Sequence, residues 1–227
     1  AFVKNEREGD RNLNRNFAPR DKPQNFEDHI VNDLAPLLES HDALLDLHSY
    51  SGDGEPFAMT GPLNNSGSLE PFARQIEEEA FAKAVGLPVI VQGWLEVYDK
   101  AVKASNGAIR AEHGIGTNEF MRSRGGYAIT VESGSHDDPE AIEIADRCIA
   151  GVLNLLGMAD VTVEPVAKYT THHMKDVFMR QSDDDKMTKD WVNFDPFKKG
   201  DVLATRADGM QIVAPFDGCV IFPQIDA

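Results

Sequence analysis

No apolar run in the sequence approaches the ~20 residues that a membrane-spanning helix needs. A helical membrane protein is not expected, nor is a membrane partner. Cysteine is nearly missing, with Cys148 and Cys219 the only two. So distant a pair is no disulfide framework and gives no paired thiolates for a zinc site. Both are expected to be reduced thiols, buried or nearly so. Positive charge is also scarce: 38 acidic side chains stand against 22 basic ones, a net charge of -16. Such a field repels nucleic acid at long range. It still permits an anionic small molecule, because a few arginines in a cleft reverse the local potential.

What is present reads as an ordinary globular chain. The 227 residues suffice for one large domain, or a medium one with a small appendage. Ala1–Lys4 lead straight into a polar stretch, so no secretory signal is expected there and a cytoplasmic location is. Apolar residues at Ile30, Leu34, Leu37 and Leu38 predict a helix over 25–40. Residues 43–47 form a short apolar run that enters Asp46-Leu47-His48 and reads as a buried strand ending at a polar loop. Another short strand is expected at 56–60, a helix over 70–85 and a strand at 88–92. A short helix is expected at 98–105, and 108–124 reads as glycine-punctuated and irregular. Residues 127–131 predict a strand delivering Glu132, and 139–156 a strong helix capped by Asp137 or Asp138. Beyond about 163 helical periodicity stops and short β-prone runs alternate with Gly, Asp and Pro. The expected division is therefore 1–163 and 164–227.

Three short motifs occur in one order: Arg7 with Asn12-Leu13-Asn14-Arg15-Asn16-Phe17, then Asp46-Leu47-His48, then Thr130-Val131-Glu132-Ser133-Gly134. Singly, each has an ordinary explanation as a turn, a hydrogen-bonded histidine or a solvated carboxylate. Together they match the needs of zinc-assisted amide hydrolysis. That chemistry takes a ligand set with one position open for water and a carboxylate to accept the water's proton. It also takes arginines to hold an oxyanion and carboxylates. In open α/β sheets such groups gather at strand ends.

The order and spacing resemble the succinylglutamate desuccinylase/aspartoacylase family, relatives of the zinc carboxypeptidases. That family has an Arg seven positions before the Asn of Asp-Leu-Asn-Arg-X-Phe, matching Arg7 and Asn14, with Asn12 replacing the Asp. It also has Asp-Leu-His, found unaltered at 46–48, and Glu-X-Gly after a buried strand, found at 132–134. Lys199–Leu203 and Ala214–Gly218 are similar to its small C-terminal β domain. The resemblance implies an α/β fold: a carboxypeptidase-like mixed sheet flanked by helices, with that β domain.

It further implies Zn2+ as cofactor, His48 as a ligand and Asp46 as the acceptor that orients a metal-site group. Glu132 would be the general base, Arg7 would polarise the scissile carbonyl, and Asn14 and Arg15 would clamp a substrate carboxylate. The family places a further substrate-binding Arg ten positions before the Glu, which selects Arg122, with Arg124 a near competitor. Its first two zinc ligands come from a His-X-X-Glu motif that nothing before Arg7 supplies. They are expected upstream of Ala1, and both the catalytic and the β domain are expected to be cut short. The 227 residues alone are then expected to be inactive. The implied activity is hydrolysis of the amide of an N-acyl amino acid or similar small carboxylate-bearing amide. The alternatives are a zinc carboxypeptidase acting on peptides and a non-catalytic binding module. Assembly as a homo-oligomer stays open, as do the acyl group and the amino acid.

Overall fold

The computed structural model describes residues 9–104, 114–164 and 166–223. Its centre is a five-stranded mixed sheet. β1 (Ala43–Tyr50) pairs in parallel with β4 (Tyr127–Ser135). β4 pairs antiparallel with β2 (Phe57–Met59), which runs parallel to β3 (Val89–Gln92). β5 (Thr170–His173) closes the far edge, parallel to β3. The order is β1-β4-β2-β3-β5.

Alternation along β4 assigns the two faces. Tyr127, Ile129 and Val131 point to a core with Phe81 and Ala82 of α2 (Gln75–Ala84) and Ile144, Cys148 and Val152 of α5 (Glu140–Leu155). Ala128 packs on the opposite side against Val31, Ala35 and Leu38 of α1 (Phe26–Glu39) and Phe120 and Met121 of α4 (Thr117–Ser123). α1 starts where Asn25 accepts the Asp28 N–H at 2.9 Å, the N-cap bond that its residue type favours. Cys148 is fully buried, and that burial pushes its thiol up to about 11. Both cysteines are free thiols. Among the described residues no helix is long and apolar enough to cross a membrane.

Several elements differ from the sequence expectation, each for a physical reason. α2 begins at Gln75, not at residue 70, because Phe72 and Asn65 exchange backbone bonds as an isolated bridge. Ile76, on this helix, is 76% exposed. α3 (Trp94–Ala104) starts four residues earlier than expected, so that Trp94 and Tyr98 share a face. α4 lies inside the stretch read as irregular, 108–124; residues 108–113 of that stretch are outside the described residues. The strand at Thr170–His173, carrying His172 and His173, lies past residue 163 yet belongs to the main sheet. After it come short hairpin pieces: β6 (Lys186–Met187), β7 (Pro196–Phe197), β8 (Val202–Thr205), β9 (Gln211–Val213) and β10 (Gly218–Cys219). They surround a small core of Trp191, Phe197, Leu203 and Ala214.

One close approach is testable. A Cβ added to Gly151 in α5 would collide with the Ala84 carbonyl at the end of α2. Gly151→Ala is expected to push the helices apart and cost about 1–3 kcal/mol, as overpacking does. Urea melts of the two proteins check it.

Candidate active site

The sheet's parity builds the site. Leu44 packs on the α1/α4 side while Ala43 and Leu45 pack on the other. Asp46 and His48 therefore share the α4 side with Leu44. In register beside them, Asp46 stands opposite Thr130 and His48 opposite Glu132. Two residues 84 positions apart in sequence are thus neighbours at the ends of adjacent parallel strands, where both line one cavity.

Just beyond this pair the register slips. His48 faces Glu132 but Tyr50 faces Ser135, so β4 carries one extra residue. Gly134 takes the strain at φ 131°, where a side chain is disfavoured. The Ser133 hydroxyl donates to the His48 carbonyl at 2.8 Å and ties the bulge to β1. This supplies a physical reason for glycine two positions after the glutamate.

A polar network holds the histidine. His48 Nε2 lies 3.0 Å from Asp46 Oδ1. The Thr117 hydroxyl donates to Asp46 Oδ2 at 2.7 Å, and the Asn14 amide reaches it at 3.4 Å. Burial of Asp46 favours its neutral form, but the bonds from His48, Thr117 and Asn14 outweigh it and hold the carboxyl below its ordinary range. Asn14 Oδ1 in turn accepts the Thr117 N–H at 2.8 Å. Loop 12–16, strand β1 and the start of α4 are pinned together at this point. Thr117 was not singled out from the sequence; its only cue was a polar residue after Gly116 in a glycine-rich stretch.

Glu132 is 7% exposed, so the carboxylate is largely removed from bulk water. Arg15 meets α3: its Nε donates to the Tyr98 hydroxyl at 3.1 Å, and its guanidinium lies over the Trp94 ring. Arg7 lies outside the described residues.

Arg122 also lines this cavity, but its donors are engaged by its own chain. Its Nε donates to Glu78 at 2.8 Å, NH1 to Glu70 at 2.9 Å, and NH2 to the Ala128 carbonyl at 2.7 Å. Glu119 stands 3.5 Å away. Burial, and to a lesser degree the charges of Glu119 and Glu78, push Glu70 up to about 7 against the pull of Arg122. The guanidinium expected to meet substrate is thus directed at carboxylates of its own chain. Gly61 gives it room, since a Cβ there would strike the Arg122 side chain. Arg124 is half exposed and pairs with Glu39 at 3.1 Å. The other early arginines are engaged too: Arg11 and Arg20 pair with the buried Asp28 at 2.9 and 3.0 Å.

The implied metal can be tested against this donor set. Among the described residues no group of three or more His, Cys, Asp or Glu could hold a metal ion. What is present is one imidazole oriented through Nε2 by a carboxylate, the pairing that commonly fixes a metal-ligating histidine. It fits one ligand of a zinc site, with Nδ1 as the donating nitrogen.

No family profile and no curated protein matches the chain. Solved structures do. The product-bound structure of the ectoine utilization protein EutE (DoeB) from Ruegeria pomeroyi superposes with a TM-score of 0.66 at 23% identity, over 92% of this chain and 61% of that one. A succinylglutamate desuccinylase/aspartoacylase from Rhodobacter sphaeroides gives 0.66 at 20% identity, over 98% and 66%. Succinylglutamate desuccinylase from Vibrio cholerae gives 0.67 at 20%, over 98% and 63%. The chain has the succinylglutamate desuccinylase/aspartoacylase fold. It spans about two thirds or less of the length of these three structures. The desuccinylase/aspartoacylase fold expected from the three motifs is therefore the fold observed, with its mixed sheet flanked by helices.

Proposed function

We propose that this chain carries much of the active site of a zinc-dependent deacylase, one that cleaves the amide of an N-acyl amino acid or similar small carboxylate-bearing amide. The observation that carries the reading is the register of β1 with β4, which sets His48 beside Glu132 on one face at one cavity. His48, oriented by Asp46, is proposed as a zinc ligand, with two more ligands supplied from a His-X-X-Glu motif upstream of Ala1. Zinc, when bound, supplies a Lewis acid that lowers the pKa of water and polarises a carbonyl. Glu132 takes a proton from the attacking water and returns it to the departing amine nitrogen. Arg7 steadies the carbonyl oxygen. Arg15 and Asn14 hold the substrate carboxylate. Arg122 is assigned to holding α4 against α2 rather than to substrate.

The whole protein is the material for the test. Amine release is measured from N-acetyl amino acids and from peptides with free C-termini, with a chelator and after zinc is restored. Release from the N-acyl amino acids, lost on chelation and regained with zinc, is the expected result. Cleavage of peptides alone would point to a carboxypeptidase, and no release from either to a binding module.

A further inference from the structure

Two aromatic residues of α3 face the cavity at helical spacing, and no motif or role above accounts for them. Trp94 and Tyr98 are four residues apart, so their side chains fall on one face of the helix. Their ring centroids lie 4.9 Å apart. The Arg15 guanidinium carbon sits 5.2 Å from the Trp94 centroid and 5.7 Å from that of Tyr98, within cation–π range of both. Arg15 Nε donates to the Tyr98 hydroxyl at 3.1 Å, and NH1 donates to the Asn14 carbonyl at 2.7 Å. Trp94 is fixed in turn, its Nε1–H donating to the Gly114 carbonyl at 3.2 Å. Trp94, Tyr98 and Arg15 line the same cavity as His48 and Glu132.

We infer that Trp94 and Tyr98 are positioning residues that pre-set the Arg15 fork for a substrate carboxylate and so determine specificity for carboxylate-bearing amides. This rests on the reading of Arg15 as the carboxylate clamp. The physics is preorganisation. A free arginine side chain surrenders several rotors when it grips a ligand, and that loss weakens binding. Here the loss is met before substrate arrives. The Tyr98 hydroxyl takes the Nε–H, the aromatic faces fix the guanidinium plane, and the Asn14 carbonyl takes one NH1 proton. Of the five N–H donors, the three that remain are those available to a carboxylate.

The test compares Tyr98→Phe, Trp94→Leu and Arg15→Ala in the whole, zinc-loaded protein, using an N-acyl amino acid and the same compound with its carboxylate converted to a neutral amide. Tyr98→Phe removes a single hydroxyl, so it stays informative should Trp94→Leu fold poorly. KM for the acid is expected to rise about threefold in Tyr98→Phe and about tenfold in Trp94→Leu, the scale of a cation–π contact. kcat should stay within about twofold, and the neutral analogue should be unaffected. Trp94→Phe, which keeps an aromatic face, should restore much of the loss. A rise in KM for Arg15→Ala with none for Tyr98→Phe and Trp94→Leu would overturn the inference and leave the clamp standing. An unmoved KM in Arg15→Ala would overturn the clamp itself. Equal losses for acid and neutral analogue would mark the aromatics as ordinary packing.

Discussion

Glu132→Gln is expected to lower kcat for an N-acyl amino acid by about a thousandfold, within the range that a lost general base costs. KM should change little, because the proposed carboxylate clamp is Arg15, a different group of the cavity lining. Melting temperature should also hold: glutamine matches glutamate in shape, and its register neighbour on β1 is the polar His48. Steady-state kinetics with a thermal melt on the same preparation separate the two effects. Turnover within tenfold of the wild type would remove Glu132 from proton transfer, whatever else it does in the cavity.

Arg122 carries the largest expected effect on stability. Its side chain and that of Glu78 are each only 3% exposed. Removing one partner of such a pair leaves a buried charge without compensation, at a cost of about 3–5 kcal/mol. For a chain of this size Arg122→Met should therefore melt roughly 10 °C lower. Two further carboxylates, Glu70 and Glu119, lose the same cation. Adding Glu78→Gln should recover part of the loss, since the stranded charge is then gone. If Arg122 met substrate instead, Arg122→Met would leave the melt unmoved and raise KM. Differential scanning calorimetry on the single and double variants gives the answer.

How much of this was legible beforehand depends on the range of the forces involved. β1, β4, α1 and α5 follow from periodicity, because each hides a continuous apolar stripe. The pairing of His48 with Glu132 was legible only as a resemblance. No local rule states that strands 84 residues apart lie side by side. α4 was missed because its start depends on groups distant in sequence: the Thr117 N–H is satisfied by Asn14, 103 residues earlier. The Gly116 N–H, by contrast, has a local partner in Glu119. The partners of Arg122 were hidden for a similar reason. Its three carboxylates come from the loop before α2, from α2 and from α4, and nothing near position 122 reveals them except Glu119. β5 was invisible because it is a short, largely exposed edge strand of Thr and His, placed by its pairing with the distant β3 backbone rather than by an apolar stripe of its own.

That last strand bears on how the chain can be divided. β5 supplies the partner for every residue of β3, from Val89↔Thr170 to Gln92↔His173. A piece ending at 163 would leave the β3 backbone donors and acceptors on that side open to the next available strand, the usual route to sticky, self-templating assemblies. The residues after α5 are thus a sealed hem on the sheet, and any excised version of the catalytic half has to keep Thr170–His173 with it.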